Sequence, residues 1–254
     1  MTLSRTHALF AFCVLLLLVG LWRVDASPLR IWDGLGKLGW LLTLMWPPTP
    51  GGRLYDLLEA LAETVAMAFL GTLLAAAVAL PLSFLGAGNV IASRLARFTV
   101  RRSYDGLRAV DSLVWALIFV SAVGMGPFAG ILALAVPDIG TLAKTFSEAL
   151  ESADRRPVEG VRAAGGSRLH AIRFGLIPQA APVMLAQVLY TFESNTRSAT
   201  IIGVVGAGGI GLALADRMRI NNWDEAAFIV LMILAAVAAI DWASRRIRMR
   251  LIRA

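Results

Sequence analysis

Residues 148–178 read EALESADRRPVEGVRAAGGSRLHAIRFGLIP, and this charged stretch lies between two apolar runs of the chain. An arginine or aspartate at the centre of a membrane helix costs about 2.5 kcal/mol or more. Nine charged residues are too many for the bilayer, so the stretch must leave the membrane. They are Glu148, Glu151, Asp154, Arg155, Arg156, Glu159, Arg162, Arg168 and Arg173.

The order of residues inside this stretch predicts a helix, a turn and a second helix. Pro157 is tolerated in the first turn of a helix, and Asp154 just ahead of it is a suitable N-cap. We predict a short helix over about 157–164 that ends at Gly165-Gly166, and a second helix that starts at Ser167 and re-enters the membrane. A short helix closed by a glycine turn suits the groove of a partner, although a purely structural loop would have the same composition.

The composition is that of a polytopic membrane protein. Of the 254 residues, 58% are hydrophobic and only 16% are charged, and the mean hydropathy of +0.72 lies outside the range of soluble domains. In a soluble domain the net charge of +7 would indicate nucleic acid. Here the arginines lie in loops between apolar runs, where membrane insertion requires them.

The predicted fold class is all-α, with about six transmembrane helices. A hydrocarbon core about 30 Å thick needs roughly 20 apolar residues per helix. The first apolar run could instead be a signal peptide that is cut after Ala26, but we favour an uncleaved anchor. The six candidate spans are 8–22, 58–85, 108–123, 127–147, 175–193 and 225–243.

The arginines predict the orientation of these spans. Residues 87–109 hold five arginines against Asp105, and the tail after Ser244 holds five against no acid, so both segments are expected in the cytoplasm. The stretch 23–59 has balanced charge, as expected of a translocated loop. Six spans with both termini inside satisfy these assignments and place the loop 148–174 in the cytoplasm.

The N-terminal part, 1–57, is predicted to hold the anchor helix and an extracytoplasmic interfacial segment, ahead of a helical core over 58–254. Trp32, Trp40 and Trp46 accompany leucines before the Pro47-Pro48 break, which indicates a helix at headgroup level. A landing surface for an extracytoplasmic partner is the alternative.

Cysteine and histidine are too sparse in this chain to indicate a disulfide or a metal site. Cys13 is the only cysteine, and His7 and His170 are the only histidines. One cysteine excludes an intramolecular disulfide and a cysteine metal cluster, and two histidines so far apart in sequence do not suggest a metal or catalytic pair. We predict neither a metal site nor catalytic residues.

Three runs carry a resemblance to a known family: VSAVGMGPFAGILAL at 120–134, the region from PVEGVRAAGGSRL to IPQ at 157–179, and FESNTRSATIIGVVGAGGIG at 192–211. From about Gly106 onward the chain resembles the membrane subunit of phosphonate-type ABC importers, which are binding-protein-dependent permeases. The third run is the most distinctive, because it is more similar to the phosphonate branch than to the amino-acid or metal branches.

The middle run is similar to the cytoplasmic docking loop of such subunits, E-A-A-x3-G-x9-I-x-L-P. Glu159, Gly165 and Pro178 fall at its spacing. The sequence departs from the pattern at Gly160, Val161, Gly175 and Ile177, by exchanges that leave the helix-turn-helix plan intact. The resemblance implies that ATPase coupling rests on Pro157, Val158, Glu159, Gly160, Val161, Arg162, Ala163, Ala164 and Gly165.

The resemblance also implies a type I ABC-importer permease fold and a set of partners. These are a second copy of this chain, two ATPase subunits docked under residues 154–174, an extracytoplasmic solute-binding protein and membrane lipid. The chain has no G-x4-G-K-[ST] phosphate cradle. ATP and Mg²⁺ are therefore expected on the partner ATPase, with no cofactor in this chain.

Polar residues at the end of the fifth span form a candidate substrate path. Ionisable residues at membrane depth are functional candidates, since they are costly unless they face a partner or a watery cavity. In a helix, Glu193 and Arg197 would be four residues apart and could simply pair with each other. The alternative is that Arg197 binds a passing oxyanion. The candidate path residues are Glu193, Ser194, Asn195, Arg197 and Ser198.

The run GVVGAGGIG, 203–211, superficially resembles a dinucleotide loop. No strand-helix unit or following acid supports that interpretation. A glycine-rich joint that carries a gate fits the apolar context better, because glycines allow a bend at little steric cost. The candidate gate or hinge residues are Gly203, Gly206, Gly208, Gly209 and Gly211.

The sequence thus predicts a permease subunit of an ATP-driven importer, located in the bacterial inner membrane. The expected solute is phosphonate or a related phosphorus oxyanion, namely phosphite, hypophosphite or a phosphate ester. The alternative is an integral membrane enzyme acting on a lipid or phosphoester, which would need a cluster of acidic or histidine residues at one membrane face. A membrane scaffold would leave the docking pattern unexplained.

Overall fold

The computed structural model describes residues 2–24, 27–91 and 93–253, and within these ranges every regular element is a helix. The chain forms two compact units, Met1–Pro48 and Thr49–Ala254. The all-helical class predicted from the sequence is confirmed.

The described part of the first unit contains two helices, α1 (Thr2–Arg23) and α2 (Pro28–Leu44). The predicted span 8–22 lies in α1, whose apolar part is Leu9–Arg23. Ser27 caps α2 by accepting a hydrogen bond from the Arg30 amide at 3.3 Å. The alternative cleavage site after Ala26 lies outside the described residues.

The second unit contains the remaining helices. Long helices alternate with short ones because glycines, prolines and charged residues interrupt the apolar runs. The helices are α3 (Leu54–Gly86), α4 (Arg94–Arg108), α5 (Ser112–Val123), α6 (Pro127–Glu151), α7 (Arg155–Ala163), α8 (Arg168–His170), α9 (Ile177–Ile202), α10 (Gly209–Arg219) and α11 (Trp223–Arg253). Wider π-helical turns, Ala171–Leu176 and Gly203–Ala207, flank α9.

Four helical stretches of the described chain are long and apolar enough to cross a membrane: Leu54–Gly86, Pro127–Glu151, Arg168–Ala207 and Trp223–Arg250. Each contains one predicted span. The predicted span 108–123 has a different form, because α5 holds 12 residues and is only about 18 Å long. Together with α4 it makes a pair bent by 79°, which has the geometry of a broken span or a re-entrant loop.

Small residues allow the central helices to pack closely. At Gly140 of α6, an added Cβ would lie 2.5 Å from the Tyr104 carbonyl of α4. Tyr104 is fully buried, and its hydroxyl donates to the Leu82 carbonyl of α3 at 2.5 Å. Contacts this close need glycine and alanine at the crossings, which the core supplies with Ala75, Ala79 and Ala143.

Candidate functional site

The predicted docking helix is present as α7. Its N-cap is Asp154, whose carboxylate accepts a hydrogen bond from the Arg156 amide at 3.0 Å. Pro157 lies in the first turn, where its missing N–H costs nothing. The helix ends one residue before the predicted boundary, and Gly165 with φ of +82° turns the chain. The Gly166 amide then donates to the Val161 carbonyl at 2.9 Å.

One edge of α7 is fixed to the start of the long helix that follows it. The Asp154 amide donates to Gln179 Oε1 at 2.9 Å, and Gln179 Nε2 donates to the Asp154 and Gly175 carbonyls at 3.2 and 2.6 Å. An added Cβ on Gly175 would lie 3.0 Å from the Val158 Cα. Gly175, which departs from the docking pattern, is therefore where the two backbones cross.

The other edge of α7 is exposed. Val158 and Val161 are half-buried, while Glu159, Gly160 and Arg162 are exposed, as are Pro157, Ala163, Ala164 and Gly165. The next helix is capped independently. Ser167 Oγ accepts from the His170 amide, and the His170 ring accepts from the Ser167 amide at 3.3 Å. Each short helix is thus stabilised by its own local bonds.

Four charged side chains meet between α9 and α11, and we refer to them as the α9–α11 charge group. Arg248 donates to the Glu193 carboxylate at 3.0 Å. Arg197 lies 3.7 Å from Glu193 and 3.4 Å from Asp241. The predicted pairing of Glu193 with Arg197 is present, but it is the loosest contact of the group. The Arg197 side chain remains 45% exposed.

Asn195 is turned the other way, into the protein interior. Its side-chain amide donates to Thr72 Oγ1 at 2.9 Å and to the Asp138 carboxylate at 2.5 Å. These bonds join α9 to α3 and α6, and Asn195 is buried. Ser194 and Ser198 are half-buried. Of the predicted path residues, only Arg197 is exposed.

The charged partners of this region escaped the sequence prediction, although a signal existed. Asp138 is the only ionisable residue between Pro127 and Ala143, and Asp241 is the only one between Ala226 and Ser244. A lone carboxylate in an apolar run indicates a function or a buried partner. Their pairing with α9 could not be predicted, because it joins residues 44 and 57 positions apart.

The glycine run forms a tight reversal, the glycine joint (Gly203–Gly211). Gly206, Gly208 and Gly209 have φ of +104°, +89° and +68°, a region that side chains disfavour. Gly203 and Gly211 touch across the joint, and an added Cβ on Gly203 would lie 3.0 Å from the Gly211 Cα. No other residue type fits these positions without strain.

Side chains of α3 hold the joint. The Gly209 amide donates to the Glu63 carboxylate at 2.8 Å, and the Ile210 amide donates to Thr64 Oγ1 at 2.8 Å. The Glu63 carboxylate therefore meets the N-terminus of α10, where the helix dipole favours negative charge. On the opposite side, the Gly126 amide donates to the Gly206 carbonyl at 3.1 Å.

Comparison with known proteins gives the family and the fold of the chain. The family described as the binding-protein-dependent transport system inner membrane component matches residues 79–253. The phosphite transport system permease protein PtxC of Stutzerimonas stutzeri is 36% identical over 227 residues, which cover 88% of this chain and 82% of that protein. The phosphate-import permease protein PhnE of Mycolicibacterium smegmatis is 37% identical over 226 residues, which cover 89% of this chain and 42% of that longer protein.

Among solved structures, an inward-facing conformation of the MetNI methionine ABC transporter has the same fold. It matches with a TM-score of 0.66 at 24% identity, over 78% of this chain and 97% of that chain. The resemblance inferred from the sequence is confirmed, and the alternative of a membrane enzyme is not supported. The chain belongs to the family of binding-protein-dependent transport system inner membrane components, as a multi-pass permease subunit.

Proposed function

We propose that this chain is the permease subunit of an ATP-driven importer for a small phosphorus oxyanion. Phosphite and phosphate occur in the names of its relatives, which supports this class of solute. Phosphonate, hypophosphite and phosphate esters belong to the same class. Selection among them would rest mostly on a separate solute-binding protein, so the permease needs only weak contacts with the passing anion.

The observation that carries this proposal is α7, a capped helix fixed on one edge and exposed on the other. In the proposed complex, residues 157–165 sit in a groove of an ATPase subunit. Motion of that subunit reaches the membrane through the crossing of Val158 with Gly175 and through the bonds of Gln179. ATP and Mg²⁺ would bind the ATPase.

The orientation proposed here places α7 in the cytoplasm, together with both termini and the segment 148–174. The arginine-rich loop 87–109 and the basic tail support it. The segment 1–57 then contributes an anchor helix and the extracytoplasmic helix α2, and residues 58–254 form the transport core. The full assembly would hold two copies of this chain, two ATPase subunits and an extracytoplasmic solute-binding protein, in contact with membrane lipid.

The path of the anion is proposed to follow the face of α9 that carries Arg197. The guanidinium group is exposed and shared loosely between Glu193 and Asp241, so an anion can compete for it at small cost. Ser194 and Ser198 would add hydroxyl donors. Asn195 would support the path from behind by fixing α9 to its neighbours.

The glycine joint, which follows α9 in the chain, is proposed to carry the gate of the path. Three glycines with positive φ, together with Gly203 and Gly211 in contact, make a sharp bend whose geometry depends on Glu63 and Thr64. A change in α3 would therefore alter the position of α10.

Association with the ATPase tests the docking proposal. The double variant Glu159→Arg, Arg162→Glu leaves the net charge unchanged but reverses the signs of these two charges on the exposed edge of α7. We expect it to abolish co-purification with the proposed partner ATPase. The control is Asp216→Arg, Arg219→Asp, which reverses an exposed pair of the same spacing on α10. Undiminished association of the α7 variant would refute the proposal.

The uptake of phosphite and phosphate by cells tests the path. For Arg197→Ala we expect uptake to fall by roughly tenfold or more, since a hydrogen bond to a charged group contributes about 1.5–3 kcal/mol. Association with the ATPase should be retained. Arg246→Ala, which removes an exposed arginine stacked on Trp242, is the control. Normal uptake by Arg197→Ala would remove this residue from the path.

A further inference from the structure

Three basic side chains surround a single carboxylate in an open cleft between α4 and α6, which we call the α4–α6 cleft. Asp105 Oδ1 lies 3.2 Å from Lys144 Nζ and 3.1 Å from Arg108, and Asp105 Oδ2 lies 3.1 Å from Arg102. Thr141 and Ala109 complete the lining. One acid cannot neutralise three cations, so the cleft carries an excess of two positive charges.

The donors of these cations are only partly used. A guanidinium group has five N–H donors, and Arg102 and Arg108 each reach Asp105 through one terminal nitrogen. Both arginine side chains are substantially exposed, at 64% and 42%. Arg102 also lies over the ring of Phe98 at 5.3 Å, which helps to hold it in place. The cleft is therefore prepared for a second anion beside Asp105.

The depth of the cleft follows from two contacts of α9. Asn195 bonds to Asp138 of α6, and two residues later Arg197 bonds to Asp241 of α11. Asp138 and Asp241 thus lie at nearly the same depth. Both α6 and α11 run antiparallel to α9. Lys144 is six residues beyond Asp138, about 9 Å farther toward the α7 end.

At the depth of Lys144, α11 carries side chains that are typical of the lipid headgroup region. Trp242 is exposed, and the Arg246 guanidinium stacks on its ring at 4.0 Å. Arg246 is five residues beyond Asp241, about 7.5 Å in the same direction as Lys144. Tryptophan and arginine at one depth are typical of the membrane-water interface. The α4–α6 cleft therefore opens at the level of lipid headgroups.

The helix that follows α4 in the sequence, α5, has an exposed apolar surface. The chain bends by 79° between α4 and α5, and Val114, Leu117 and Ile118 of α5 are about half exposed. Acyl chains could cover such a surface, which a free phosphate ion could not. Basic pockets between helices at the cytoplasmic face bind phospholipid headgroups in other membrane proteins.

We propose that Arg102, Arg108 and Lys144 form a headgroup site for an anionic phospholipid. Its phosphate lies beside Asp105 and accepts the unused donors of the two arginines, while its acyl chains cover α5. The site itself rests on the geometry of α4 and α6, and its assignment to the inner leaflet rests on the proposed orientation. The bound lipid would hold α4 against α6 on the side of the core next to the docking helix.

Native mass spectrometry of the full chain in neutral detergent measures this binding, with phosphatidylglycerol compared with phosphatidylcholine. We expect the wild type to prefer phosphatidylglycerol by at least about tenfold. Each removed cation should weaken binding about fivefold, so the variant Arg108→Gln, Lys144→Gln should bind about 25-fold more weakly. Arg53→Gln, which removes an exposed arginine paired with Asp56 outside the cleft, should bind normally.

A second variant keeps the test decisive if the double variant does not fold. Asp105→Asn removes the competing carboxylate, so phosphatidylglycerol should bind more tightly, whereas a purely structural role for the ion pairs predicts no gain. Equal binding by wild type and double variant would overturn the proposal. Displacement of the lipid by millimolar inorganic phosphate would overturn the proposal in favour of a free-anion site. Phosphatidylglycerol binding that is seen only when the ATPase is present would overturn it in favour of a protein contact.

The docking variant Glu159→Arg, Arg162→Glu separates this proposal from the proposed function. It should lose the ATPase and keep the lipid preference, because α7 contributes no residue to the cleft. If the lipid preference is absent while the docking result holds, only the lipid site fails. If the lipid preference is present while docking is unaffected by the α7 variant, only the coupling proposal fails.

Discussion

The docking helix α7 and the glycine joint are built in opposite ways. α7 is capped by its own neighbours in sequence, is exposed along most of its surface and meets the rest of the chain along one edge. The joint is buried over most of its length, bends at glycines with positive φ and is held by side chains that lie about 146 residues earlier.

This difference separates a part that we propose to contact another protein from a part that is fixed by its own chain. Local bonds keep α7 folded while its outer edge stays available to a partner. In the joint, each glycine is fixed by close contacts, so the bend is lost if α3 or α6 moves. Glycine-to-alanine substitutions should therefore have opposite effects in the two regions, and removal of a cap should have a global effect in the joint but a local one in α7.

The largest effect is expected for Gly211→Ala in the joint. Its new Cβ would overlap the Thr200 carbonyl and touch Gly203, both of which are backbone and cannot rotate away. We expect a loss of about 1–3 kcal/mol in stability, as for other overpacked sites, together with a lower thermal unfolding midpoint in detergent. An unchanged midpoint would mean that the joint is looser than its contacts indicate.

Glu63→Ala removes the carboxylate that caps α10 from α3. Loss of such a cap, together with its favourable charge at the helix N-terminus, should cost about 1–2 kcal/mol. Glu63→Gln keeps an acceptor and should cost less, which isolates the contribution of charge. Thermal unfolding of both variants gives the comparison, and equal losses would assign the effect to the charge alone.

Asp154→Ala removes the N-cap of α7. The expected loss is about 1 kcal/mol, the usual value for an N-cap, and it should be local because α7 has few contacts with the core. Hydrogen exchange should accelerate for the amides of α7 while the global unfolding midpoint stays nearly constant. A fall in the midpoint comparable to that of Gly211→Ala would contradict the contrast between the two regions.

The smallest effect, and the opposite sign, is expected for Gly160→Ala in α7. An added Cβ at this position meets nothing within 4 Å. Alanine in a helix interior is favoured over glycine by about 0.5–1 kcal/mol, so exchange of the α7 amides should slow. Co-purification with the ATPase should be retained. Faster exchange in this variant would show that α7 needs the flexibility of glycine.

The sequence predicted the docking segment well because its structure is local. Asp154, Pro157 and Gly165 each act on residues within one or two turns, and α7 ends within one residue of the predicted boundary. Four of the spans were predicted for a related reason, since burial in lipid requires long apolar runs whatever their neighbours are.

The predictions were less complete where distant segments meet. The predicted span 108–123 corresponds mainly to α5, the second helix of the bent pair. The first helix, α4, packs along α6, and the chain then turns at Asp111. The pairing of Glu193 with Arg197 was anticipated from their spacing, but the closer bond from Arg248 was not. Asn195 was grouped with Arg197 by proximity in sequence, yet helical geometry turns it toward Thr72 and Asp138.

The amino-acid sequence by itself determined that the chain is a helical membrane protein with a charged helix-turn-helix segment, because hydrophobic length, charge and helix caps act over short distances. Only the tertiary structure decided which carboxylate meets which arginine, that Glu63 caps α10, and that Asp105 collects three cations in one cleft. Those contacts depend on how helices far apart in sequence cross, and the crossing is fixed by the packing of small residues on several helices at once.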